Sequence, residues 1–174
     1  VERLAQRGSQ RFIVLSGSMG RTLVERYKAD PWRVEVVPPG VDLDHFSPGD
    51  RAAARRRLGV ADDAFVVVAV RRLVARTGIH VLLDAWARAA PHLPLGALLL
   101  IAGDGPERSD LDAQLRRLEP SRPAQLLGSI TEATLLDVYR AADLAVVPSV
   151  ALEGFGLVAL ESLARVAFFS GDHD

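Results

Sequence analysis

The chain has 174 residues, 49% of them hydrophobic, a formal net charge of −1 and no cysteine. That length suits one domain or one domain plus part of another, and the apolar content is enough for a core, so whole-chain disorder is excluded. The balanced charge gives no general attraction to nucleic acid, the missing cysteines exclude disulfides and thiol chemistry, and no apolar run reaches the roughly 18 residues of a membrane span.

In chain order, short β-rich apolar runs alternate with longer amphipathic stretches. Strands are expected at Phe12–Leu15, Val34–Val37, Phe65–Val70, Leu98–Ala102, Gln125–Leu127 and Leu144–Val147. Runs such as FVVVAV and LLLIA do not alternate with polar residues, as befits strands buried on both faces of a parallel sheet. Helices are expected over Ser18–Lys28, Gly78–Ala89, Glu107–Leu118 and Thr131–Ala141, the last with Leu135, Val138 and Tyr139 facing inward. Arg51–Arg57, RAAARRR, reads as a short helix with a solvated basic face, since no aromatic residues interleave it for base stacking. The alternation predicts an α/β fold with a doubly wound, Rossmann-like parallel sheet. VVPPGVDLDHFSPGD, Val36–Asp50, breaks the rhythm and reads as a linker. Residues 1–40 would then finish one domain, 41–50 connect, and 51–174 form a second.

Four stretches could carry chemistry. In EGFGLVALE, Glu153 stands beside Gly154, Phe155 and Gly156, and Glu161 lies within an apolar run. A glycine-flanked helix start presents free N–H groups that attract phosphate, and carboxylates suit pairs of sugar hydroxyls. On spacing alone a capping Glu153 and a solvated Glu161 fit better. VRRLVARTG follows the strongest strand, where Arg71, Arg72 and Arg76 could clamp a diphosphate; an exposed basic loop is the plainer reading. IAGDGPE, and more weakly Gly128 after Leu127, are turns that let backbone approach a ligand. Asp42, Asp44 and His45 have no second histidine at ligand spacing, so no metal site is expected there.

Taken together, VVPPGVDLDHFSP, VVAVRRLVARTG, LLIAGDGPE and ADLAVVPSVALEGFGLVALESLA resemble, in order and spacing, the donor-binding half of retaining GT-B glycosyltransferases of family 4. The resemblance runs from about Phe12 to Ala164. It implies that Glu153 contacts the transferred sugar, Glu161 holds the ribose hydroxyls, and the backbone of Gly154, Phe155 and Gly156 meets sugar and diphosphate. It implies that Arg72 steadies the diphosphate. The family's usual lysine falls on Thr77, with Arg76 as an adjacent substitute, and Gly128 lies near the base. It also implies a nucleotide-diphosphate sugar as substrate, no metal or other cofactor, and a carbohydrate or lipid-linked acceptor bound by the other domain. The expected location is cytoplasmic, with peripheral contact at a membrane's inner face left open.

The missing initiator methionine and the unusual RVAFFSGDHD ending suggest a truncated copy that binds donor weakly and does not turn over. Two other readings stay open: a GT-B-like epimerase or phosphorylase, and a non-catalytic α/β binding module.

Overall fold

The computed structural model describes residues 10–46, 49–118, 120–151, 157–163 and 167–170. They divide into two compact units, one holding 10–41 and the other 42–151 with 158–163 and 167–170.

The small unit is a strand–helix–strand turn. Strand β1, Phe12–Val14, pairs in parallel with β2, Val34–Val36, and helix α1, Gly17–Glu25, joins them. Ser16 caps α1 by accepting from the Met19 amide at 3.3 Å. The helix packs closely on the strands at Gly20, where an added Cβ would lie 3.6 Å from Val14, Val34 and Val36.

The large unit carries α2, Arg51–Leu58, then β3, Val66–Val70, and α3, Ile79–Ala89. There follow β4, Leu98–Ala102; α4, Arg108–Leu115; β5, Ala124–Gly128; α5, Glu132–Ala141; β6, Leu144–Val147; α6, Leu157–Leu163; and β7, Ala167–Ser170. The five strands form one sheet in the order β5-β4-β3-β6-β7, and each pairing is parallel. Parallel neighbours need crossovers, which the intervening helices supply. The chain winds outward from β3 to β5, then returns to lay β6 on the other side of β3. This is the doubly wound α/β sheet that the alternation predicts.

The central strand explains its own continuous hydrophobicity. Val67 and Ala69 face one core with Leu83 and Trp86 of α3 and Leu111 of α4. Val66 and Val68 face the other, with Val138 and Tyr139 of α5 and Leu58 of α2 packed against it. Both faces are dry, so alternation would have left polar groups buried without partners.

Two expectations need correction. No strand is expected after Leu144–Val147, yet the C-terminal ending holds one. Residues 167–170 form β7 in register with Leu144–Val147. The paired aromatics Phe168 and Phe169 favour a strand there. The RAAARRR run is likewise not simply a solvated face, because Arg55 is 1% exposed. Its Nε donates to the Ala141 carbonyl at 3.1 Å, Nη1 to the Ala61 and Asp62 carbonyls at 3.2 and 2.5 Å, and Nη2 to Asp143 Oδ2 at 2.8 Å. A guanidinium's five fixed donors let one side chain satisfy several loop carbonyls at once.

Arg57 stays exposed and pairs across to Asp137, Nε to Oδ2 at 2.7 Å and Nη2 to Oδ1 at 2.5 Å. The hydrogen-bonded Arg57 guanidinium holds the Asp137 carboxyl below the ordinary value of 3.8. A depressed folded-state pKa stabilises the fold above the unfolded value, and the contribution is lost as pH falls through the folded one. Asp137→Asn is therefore expected to lower the melting temperature at pH 7, with the gap to wild type closing below about pH 4. A gap that stays constant from pH 7 to pH 2.5 would show that the charge on Asp137 contributes nothing.

Candidate functional site at the carboxyl edge of the sheet

In a doubly wound sheet the strand order reverses at one point, and the loops there diverge to leave a crevice at the carboxyl ends. Here the reversal lies between β3 and β6. The loops after these strands meet closely: the Val150 amide donates to the Arg76 carbonyl at 3.0 Å. Gly78, at φ +71, sits so near that an added Cβ would lie 1.9 Å from the Pro148 carbonyl oxygen. The loop after β4 closes on the one after β3 in the same way. The Arg71 amide donates to the Ala102 carbonyl at 2.8 Å and the Leu73 amide to the Asp104 carbonyl at 3.0 Å. Gly103, at φ +134, admits no side chain, since a Cβ would fall 1.9 Å from the Arg71 carbonyl oxygen. The glycines of IAGDGPE thus serve close backbone approach, as their position after a strand predicts.

Along this edge lies an open hollow of about 360 Å³. Its wall includes Arg71 and Arg72 after β3, Gly103 after β4, Thr131 and Glu132 at the start of α5, and Val158 of α6. Glu161 stands one turn beyond Val158, and residues three apart share a helix face. The half-buried Glu161 accepts from the Tyr139 hydroxyl at 3.3 Å. Burial and the nearby Glu161 charge push the Tyr139 phenol well above its ordinary value, so it stays a proton donor. The buried Arg71 side chain bridges the reversal point, with Nη2 donating to Ser149 Oγ at 2.6 Å. At the rim, His45 Nε2 lies 2.9 Å from Glu132 Oε1.

The structure thus brings Arg72 to the wall of the hollow and Glu161 to the helix face beside it. Arg76 is exposed, and its side chain is not among those walling the hollow; only its carbonyl engages the neighbouring loop. Thr77 is buried and gives its hydroxyl to the Arg72 and Val74 carbonyls, both at 2.7 Å, so it fixes the loop that carries Arg72. Gly128 closes β5 at φ +72 behind the hollow, and its carbonyl accepts from the Gly103 amide at 2.8 Å. Glu153, Gly154, Phe155 and Gly156 lie outside the described residues. Among the described residues, no three His, Asp or Glu side chains gather where a metal ion could be held. No helix among them is long and apolar enough to cross a membrane.

Sequence reasoning placed Tyr139 in the core and left its hydroxyl without a task. Arg71, a candidate for a diphosphate clamp, is instead buried and held by Ser149. A larger hollow of about 480 Å³, walled by α3 and β6, is almost wholly apolar and has no charged side chain in its lining.

A doubly wound sheet with a cation-bearing hollow at its reversal point defines a Rossmann-like domain of the ligand-binding class. More narrowly, the chain belongs to the glycosyl transferases group 1 family, whose profile matches residues 50–166. Among its relatives is a D-inositol 3-phosphate glycosyltransferase of Geodermatophilus obscurus, 43% identical over 90% of this chain and 36% of that protein. Another of that name from Kribbella flavida is 40% identical over 90% of this chain and 38% of that one. The chain therefore spans a little over a third of the length of these relatives. Its fold is that of GT-B glycosyltransferases. Anabaena HepE, solved with UDP and glucose, matches at TM-score 0.79 and 26% identity over 92% of this chain and 44% of that one. Sucrose-phosphate synthase of Thermosynechococcus elongatus matches at TM-score 0.78 and 29% identity over 97% and 42%.

Proposed function

We propose that the chain is the donor-binding part of a retaining family 4 glycosyltransferase, with residues 1–40 belonging to the acceptor domain and 41–50 connecting to the donor domain at 51–174. The observation that carries this reading is one hollow at the reversal point that has Arg72 on its wall and Glu161 beside it on α6.

In this reading the nucleotide ribose lies against Glu161, whose carboxylate accepts from two neighbouring hydroxyls. The diphosphate lies against Arg72, whose paired N–H groups match phosphate oxygens. Glycosyl transfer leaves negative charge on the departing diphosphate. A cation fixed beforehand beside that charge lowers the barrier, and here the loop pinned by Thr77 holds Arg72 in place. The reading assigns this work to side chains and calls on no divalent ion. Glu153 would face the transferred sugar, with Gly154, Phe155 and Gly156 as its backbone neighbours. Transfer belongs to the whole protein, since the acceptor would sit on the other domain. HepE was solved with UDP and glucose, and the relatives are named for D-inositol 3-phosphate; UDP-glucose and that acceptor are the first pair to try.

The test is calorimetric titration of the chain with UDP-, GDP- and ADP-glucose. One of them is expected to bind, and Glu161→Ala to weaken it by roughly tenfold or more, the range for a hydrogen bond to a charged group. Failure of all three to bind would favour a module without a nucleotide site. On the whole protein, a glycosylated acceptor with its anomeric configuration kept is expected. Epimerised free nucleotide sugar as product would instead assign an epimerase.

A further inference from the structure

We infer that Tyr139 is a positioning residue for donor binding, acting through Glu161 by holding its carboxylate toward the nucleotide ribose. The inference rests on the reading of Glu161 given above and deepens it. Tyr139 is 1% exposed and packed among Val66, Val68 and Val138, so its ring cannot swing. Phe46 closes over it edge-on, with ring centroids 6.4 Å apart and planes at 65°. From this fixed ring the hydroxyl reaches out of the core to Glu161 Oε2 at 3.3 Å.

Glu161 itself sits on a helix face with rotatable bonds of its own. An unrestrained glutamate would have to lose that rotamer freedom when ligand binds. One hydrogen bond from an immobile donor removes part of that loss beforehand. A carboxylate has about four acceptor sites, so one taken by Tyr139 leaves the others for ribose hydroxyls. Nothing in the packing requires a hydroxyl here, because phenylalanine would fill the same core volume. The oxygen is explained by what it holds.

The experiment separates positioning from packing by comparing a ribonucleotide with its 2′-deoxy form. UDP, GDP and ADP are titrated into the chain, and the nucleotide that binds is compared with its deoxy analogue. Wild type, Tyr139→Phe, Glu161→Ala and the double variant are measured. Wild type is expected to bind the deoxy form roughly tenfold more weakly or worse. Glu161→Ala should erase that penalty, and Tyr139→Phe should cut it about threefold or more while melting near wild type. The double variant should match Glu161→Ala, since Tyr139 has nothing left to act on.

A Tyr139→Phe protein that keeps the full deoxy penalty, or weakens both ligands equally, overturns the inference and leaves the function intact. A Glu161→Ala protein that keeps the penalty removes the ribose role of Glu161 and the inference with it, and no binding by any nucleotide removes the function as well. Should Tyr139→Phe unfold, 3-fluorotyrosine at position 139 keeps the ring and makes a stronger donor. The penalty should then rise, and an unchanged penalty would overturn the inference.

Discussion

Asp143→Ala is expected to destabilise the large unit by about 3–5 kcal/mol, the cost of breaking a buried ion pair from one side. Asp143 sits where α5 hands over to β6 and gathers three donors. Its Oδ2 accepts from Arg55 Nη2 and from the Val66 amide, both at 2.8 Å, and Arg51 pairs with its other oxygen. Removing the carboxylate strands the buried Arg55 cation and orphans an amide at the start of the central strand. Each is costly because Arg55 and Val66 are buried and lose a hydrogen-bond partner there. Asp143→Asn keeps one acceptor oxygen and should lose less than Asp143→Ala. Replacing Arg55 by leucine as well should recover part of the loss, since the stranded charge is then gone. Chemical denaturation followed by circular dichroism reads all three. A loss under about 1 kcal/mol for Asp143→Ala would mean that the Ala61, Asp62 and Ala141 carbonyls alone satisfy Arg55.

This network is a fair measure of how much the sequence reveals. β3, β4 and β6 were readable because a strand dry on both faces must be apolar at successive positions, and no surface element imitates that. Helix α5 was readable because Thr131 caps it, its Oγ1 accepting from the Thr134 amide at 3.2 Å, and because its apolar residues keep helical spacing. Arg55 was not readable. Of four arginines in seven residues, only geometry tells which one points inward, and its partners come from Ala61, Asp62, Ala141 and Asp143. β7 was hidden for another reason: its partner β6 lies over twenty residues earlier, and strand pairing leaves no local mark.

The candidate site divides in the same way. Arg72 could be proposed because it follows the strongest strand, and carboxyl ends of parallel strands are where ligands sit. Thr77 looked like a defect when weighed as a missing cation. Its side chain turns inward and bonds two loop carbonyls, so its effect on Arg72 comes through the backbone. Arg71 and Ser149 join across the reversal point, and Tyr139 and Glu161 join across 22 positions. Neither contact could be read from spacing, since each depends on how far apart the sheet sets two loops.

Arg72→Ala should weaken binding of a nucleoside diphosphate by roughly 10- to 100-fold, the worth of charge-assisted hydrogen bonds to a phosphate group. Stability should change by no more than about 0.5 kcal/mol, because Arg72 is exposed and packs into no core. The loss should fall mainly on the second phosphate, so UDP should suffer more than UMP if uridine is the base held. Arg72→Lys keeps the charge and forfeits the paired donors, and it should land between wild type and alanine. Arg76→Ala should cost less than Arg72→Ala, since Arg76 stands outside the wall of the hollow. Titrations at two salt concentrations sharpen the comparison, because a phosphate contact weakens as salt screens it and a contact to base or ribose does not. Equal losses for mono- and diphosphate, or a full loss on Arg76→Ala with none on Arg72→Ala, would move the diphosphate away from the end of β3. The hollow at the reversal point would then have to bind some other group, because among the described residues Arg72 is the exposed cation on its wall.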